Sequence, residues 1–194
     1  MKSRIVSVIL SVILLVALVG FAFAEGEVPK DVKKQTSLGK YATAMETYNM
    51  WKADPEKVFI IDTRTPQEYV YVGHPAMALN IPILVWTGKF DGEKKDVVLE
   101  KNPDFVAEIQ KRFKPEDKIM MMCRSGQRSA TAAEQMIKAG FKNVYSVTDG
   151  FEGDKVNDTS NPNHGKRTLN GWKNSQAPWT YDLDIKLMPS LPAK

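Results

Sequence analysis

The residue with the clearest chemical potential is Cys123, the only cysteine in the chain. It heads the run Cys123-Arg124-Ser125-Gly126-Gln127-Arg128-Ser129. Before it stands the apolar stretch Lys118–Met122, which reads as a buried strand. After it, Ser129 to Ala139 reads as a helix. A thiol between a strand and a helix start sits where backbone N–H groups and the helix dipole favour an anion. Arg124 and Arg128 add positive charge, and Ser125 and Gly126 let the backbone curl around the sulfur. Together these favour the thiolate and make Cys123 a nucleophile. A buried, inert thiol is the opposing reading, and cationic, flexible neighbours weigh against it. One cysteine also excludes an internal disulfide.

Two other segments converge on this loop if the strands are parallel, because ligands of open parallel sheets sit at the carboxyl ends of the strands. Asp62 follows the apolar run Val58-Phe59-Ile60-Ile61, and Thr148-Asp149 follow a strand over 143–147. Asp62 is expected to satisfy backbone N–H groups at its strand end, with proton transfer as the alternative. Arg64 and Glu68 are expected to form an internal ion pair. Thr65-Pro66-Gln67-Glu68 carries a capping box with proline at the first helical position. His74, held extended by Pro75, reads as structural. Thr148 and Asp149 either touch the cysteine loop or simply turn the chain into Gly150.

Around these residues the elements alternate. A helix over 38–53, capped by Ser37, precedes the strand at 58–61. A strand at 78–81 stops at Pro82. Residues 83–101 look like an irregular, charged insertion. A helix opens at Asn102-Pro103 and runs to about Phe113, and Gly140 sits where a left-handed cap would end the next one. Alternation of this kind predicts an α/β fold with a parallel sheet covered on both faces. Residues 154–194 are rich in Asn, Gly, Pro and Lys. They hold Trp172 and Trp179, whose large apolar rings predict an irregular extension packed back on the domain.

The chain begins with an address. Lys2 and Arg4 precede an uncharged apolar run over 5–23, and Ala22-Phe23-Ala24 has a small-x-small ending. The expectation is a signal peptide over 1–24 and export to the periplasm. The alternative is an inner-membrane anchor made by an uncleaved 5–23 segment. Removing 1–24 takes two of the 27 Lys+Arg residues and none of the 23 Asp+Glu, so the formal +4 falls by half. The remaining basic clusters are small and scattered, which argues against nucleic acid as a partner. Cleavage would leave no stable membrane association.

Three motifs in order resemble the rhodanese-like domains. They are Cys123-Arg124-Ser125-Gly126-Gln127-Arg128, the acidic-x-Arg segment Asp62-Thr63-Arg64, and Gly73-His74 leading into Ala78-Leu79-Asn80-Ile81-Pro82. The resemblance covers residues 36–153, after an N-terminal arm at 25–35. It implies an open parallel sheet of about five strands with helices on both faces. It also implies sulfurtransferase chemistry: Cys123 takes a sulfane sulfur from thiosulfate or a persulfide donor, and a thiol or cyanide removes it. Arg124, Ser125, Gly126, Gln127, Arg128 and Ser129 would form the persulfide-binding loop. Asp62, Arg64, Glu68, Thr148 and Asp149 would support it. No cofactor or metal is implied. The family often shows a Gly-Gly pair after its last strand, where this chain has Gly150-Phe151. Alternatives are a sulfur carrier that accepts a persulfide from a protein partner, a redox-sensing thiol, or a phosphatase-like enzyme. The C-x4-R spacing ranks the phosphatase low, because those enzymes use C-x5-R.

Overall fold

The computed structural model describes residues 26–189. The expected leader at 1–24 lies outside them. Five parallel strands form the central sheet, in the order β1-β7-β6-β2-β3. They are β1 (Tyr41–Ala42), β2 (Val58–Asp62), β3 (Leu79–Asn80), β6 (Lys118–Met122) and β7 (Val144–Val147). Parallel strands need helices on both faces, and the apolar runs show why. Val58 and Ile60 of β2, Met120 and Met122 of β6, and Tyr145 and Val147 of β7 pack on one side. Ile61, Ile119, Met121 and Val144 pack on the other. The first face is covered by α1 (Ala44–Ala53), and the second by α3 (Phe105–Gln110) and α4 (Gln127–Lys138). The α/β expectation and the open parallel sheet are both met.

Local signals explain most boundaries. Thr65 caps α2 (Pro66–Val72) through a complete capping box with Glu68. Gly140, at φ +94°, ends α4. Its N–H donates to the Ile137 carbonyl, and the Phe141 N–H donates to Met136, which is a Schellman closure.

Three expectations are corrected. The helix expected over 38–53 begins only at Ala44, because Thr43 and Glu46 form the capping box and Tyr41–Ala42 pairs with β7. Ser37 does not cap it; its N–H donates to the Glu134 carboxylate. The helix expected to run from 102 to 113 spans only 105–110, and Asp104 occupies its cap. The supposedly irregular segment 83–101 is a hairpin of β4 (Leu84–Asp91) and β5 (Asp96–Lys101). Its pairing slips between Trp86 and Phe90, with Gly88 in the left-handed region at φ +80°. That bulge breaks the alternation that would have marked a strand.

Over residues 154–189 the chain is mostly irregular, with two short 3₁₀ turns, and packs on the first face. Trp172 is fully buried and donates its indole N–H to the Pro178 carbonyl at 2.9 Å. Trp179 lies edge-on to Phe151 at 6.1 Å. Thr180 and His74 exchange backbone hydrogen bonds at 2.8 and 2.9 Å. His74 is buried, stacks on Tyr69 at 3.6 Å, and has its ring nitrogens against the carbonyls of Tyr69 and Asp182. These contacts hold the end of α2 and the tail together.

Candidate active site

The parallel sheet brings the loops after β2, β6 and β7 to one edge. The Thr63 N–H and hydroxyl both donate to the Met122 carbonyl, at 2.7 and 3.0 Å. The backbone after β7 closes the other side. Phe151 N–H donates to the Cys123 carbonyl at 2.7 Å, and the N–H groups of Glu152 and Gly153 donate to the Arg124 carbonyl. The loop is thus fixed by main-chain bonds from both neighbouring strands' ends.

Within it, the Gly126 N–H points at Cys123 Sγ from 3.2 Å. Gly126 is also the N-cap of α4, so the sulfur lies at the positive end of a twelve-residue helix. Ser129 accepts the Cys123 N–H at 2.9 Å, which ties the first helical turn to the strand end. Two close approaches demand glycine here. A Cβ on Gly126 would fall 2.1 Å from the Thr148 carbonyl oxygen, and one on Gly150 2.5 Å from that of Cys123. Gly126 also has φ +103°. Gly126→Ala should therefore cost about 1–3 kcal/mol in backbone strain alone. The melting temperature should fall by several degrees; an unchanged midpoint would contradict this packing.

The two arginines have different duties. Arg128 forms a bidentate pair with Glu68, at 2.7 and 2.5 Å, sixty residues away. Arg124 makes no ion pair or side-chain hydrogen bond among the described residues, and it is exposed. The expected Arg64–Glu68 pair is not formed. Arg64 instead pairs with Asp62, with Nη2 to Oδ2 at 2.6 Å, both side chains having no exposure. The reason is placement: α2 turns Glu68 toward the cysteine loop, whereas Arg64 folds inward beneath it. Arg64 also donates to the Gly73 carbonyl, and its guanidinium lies 4.1 Å from the centre of the Phe151 ring. Phe151 at the second-glycine position thus supplies a face for a buried cation.

Electrostatics follow from these pairs. Burial alone would hinder Glu68 from ionising, but the Arg128 guanidinium and the Thr65 N–H outweigh it and hold its pKa at about 2, against an ordinary 4.5. Unfolding restores the ordinary value, so the pair contributes its full stability above about pH 4.5 and loses it as pH falls toward 2. Thermal unfolding of the wild type should show a falling midpoint across that window, and Glu68→Gln should flatten the slope. A slope identical in the two proteins would contradict the assignment.

The other supporting residues serve elsewhere. Asp149 accepts the N–H groups of Ala44 and Gly171, at 2.7 and 3.0 Å, so it joins the start of α1 to the tail. Burial raises its pKa, while those N–H donors pull the other way. Thr148 sets its backbone carbonyl beside Gly126, and its hydroxyl donates to the Ala42 carbonyl. Gln127 lines the Cys123 pocket and donates its amide N–H to Asp31 of the N-terminal arm.

Cys123 is 1% exposed and opens into a pocket of about 450 Å³. One side is Thr65, Gln67 and Glu68, and the floor is the cysteine loop. The remaining wall is the β4–β5 hairpin, through Trp86, Asp96, Val97 and Leu99. None of the pocket's lining residues comes from the tail. A second, larger cavity of about 900 Å³ shares Arg124, Ser125 and Gln127 with the first, and Lys34 and Arg167 line it too. Burial, then the neighbouring Arg124 cation, lowers the pKa of Arg167 below its ordinary value. Sequence reasoning missed both the hairpin wall and Arg167, since nothing local ties either to Cys123.

Comparison with known proteins agrees with this geometry. The family model described as "Rhodanese-like domain" matches residues 43–156. The senescence-associated protein DIN1 of Raphanus sativus is 33% identical over 91 residues, 47% of this chain and 45% of its own length. The chain thus spans less than half of that relative. Thiosulfate sulfurtransferase 16, chloroplastic, of Arabidopsis thaliana is 32% identical over 91 residues, covering 47% of this chain and 68% of its own. Among solved structures, Rv0390 from M. tuberculosis matches with a TM-score of 0.56 and 27% identity, covering 74% of this chain and all of its own.

Proposed function

We propose that the chain works as a sulfurtransferase; it belongs to the rhodanese-like domain family. The observation that carries this reading is the Gly126 N–H aimed at Cys123 Sγ at the N-terminus of α4. Thiolate attack on the outer sulfur of thiosulfate forms the Cys123 S–S bond and breaks the donor's S–S bond, and the electron pair leaves with sulfite. The resulting persulfide anion stays beside the same donor. Arg124, unpaired at the loop, attracts the anionic donor and steadies the departing sulfite. Arg128, matched by Glu68, braces the loop. A thiol or cyanide then attacks the outer sulfur, and Cys123 leaves as thiolate. Thiosulfate sulfurtransferase 16 carries the activity in its name, which supports the same chemistry here.

The same proposal places the protein outside the cytoplasm, after removal of residues 1–24, with small sulfur compounds as its partners. The test is thiocyanate formation from thiosulfate and cyanide. Steady turnover supports the enzyme; sulfur uptake without turnover would overturn it in favour of a carrier.

A further inference from the structure

We infer that the β4–β5 hairpin makes this site select a small organic thiol with a ring-sized apolar substituent as its sulfur acceptor. The inference rests on the sulfurtransferase reading above. Three observations carry it. First, the pocket at Cys123 holds about 450 Å³, within the range of about 300–1,000 Å³ that takes organic ligands. Thiosulfate or cyanide would occupy only a small part of it. Second, three of the four hairpin residues that line the pocket are apolar, Asp96 being the fourth. Trp86 is paired across the hairpin with Leu99, and Val97 lies two residues along the same face of β5. Third, this apolar surface is left in water beside the reactive group: Trp86 is 44% and Val97 42% exposed. Burying such surface against a substituent is favourable in proportion to its area. Trp86 is also held for the purpose, since its indole N–H donates to the Lys89 carbonyl across the bulge.

The chemistry balances without a further reagent. The acceptor thiol attacks the outer sulfur of the Cys123 persulfide. A bond forms between the two sulfurs, the Cys123 S–S bond breaks, and its electron pair returns to Sγ as thiolate. The thiol proton ends on the new organic persulfide or in water. Throughout, the substituent lies along Trp86, Val97 and Leu99, while Arg124 and the Gly126 N–H stay with the sulfur end.

The experiment loads the full protein with thiosulfate, removes the excess, and follows loss of the persulfide by intact mass. The acceptors are phenylmethanethiol and 2-mercaptoethanol, two alkanethiols that differ in the apolar ring. Wild type should discharge to phenylmethanethiol about tenfold faster or more, a span typical of one apolar contact. Trp86→Ala should reduce that ratio by about tenfold, Leu99→Ser should reduce it as well, and Trp86→Phe should retain most of it. Equal rates to both thiols in the wild type, or a ratio unmoved by both Trp86→Ala and Leu99→Ser, overturns the hairpin's role while leaving sulfur transfer standing. Failure of Cys123 to load any sulfur overturns the underlying reading, and this one with it.

Discussion

Cys123→Ser should abolish thiocyanate formation from thiosulfate and cyanide, by at least about a thousandfold, as loss of a covalent nucleophile does. No second cysteine exists to take over. A serine hydroxyl in the same place would still meet the Gly126 N–H, but it cannot hold a transferable sulfane sulfur. The fold should survive, because the loop is held by main-chain bonds from Phe151, Glu152 and Gly153 rather than by the thiol. The paired measurement is therefore thiocyanate yield and melting temperature. Loss of activity with the midpoint kept within a few degrees supports the nucleophile; thiocyanate at the wild-type rate contradicts it.

The largest stability effect should come from Asp62→Asn. Asp62 and Arg64 are a fully buried ion pair. Asp62 accepts the Arg64 backbone N–H at 3.1 Å and three side-chain contacts from its guanidinium. Arg64 Nη1 already lacks a hydrogen-bond partner, so the cation depends on Asp62, the Gly73 carbonyl and the Phe151 ring. Removing the carboxylate charge leaves that cation buried without its counter-ion, a change that costs about 3–5 kcal/mol. That is a large share of the 5–15 kcal/mol of an ordinary domain. Urea unfolding should show a midpoint far below wild type, with little folded protein at elevated temperature. A midpoint within experimental spread of wild type would show that the pair is not needed. In the pair both Asp62 oxygens are engaged by Arg64, and the side chain has no exposure.

Much of the site's frame was legible because its signals are local. The continuous apolar runs at 58–61 and 118–122 marked strands buried on both faces, and the capping box at Thr65 marked α2. Once parallel strands were expected, Asp62, Cys123 and Thr148 had to meet at one edge. The contacts of Thr63 with Met122 and of Gly126 with Thr148 show them doing so. Charge pairing was not legible in the same way. Glu68 finds Arg128 across sixty residues, and local spacing had offered Arg64 instead. The hairpin was hidden for another reason. Eight charged residues and the slip at Trp86–Phe90 mask the period of two across 84–101. Yet that segment provides the mostly apolar wall of the pocket, so the feature we propose to shape selectivity was the one least visible in the sequence.

The central question is where the sulfur goes. The direct measurement is the intact mass of the protein after exposure to thiosulfate, desalted without reductant, beside Cys123→Ser treated alike. One added sulfur on the wild type, removed by cyanide and missing from the variant, is the predicted result. No added sulfur on the wild type, or the same gain on Cys123→Ser, would contradict the Cys123 persulfide.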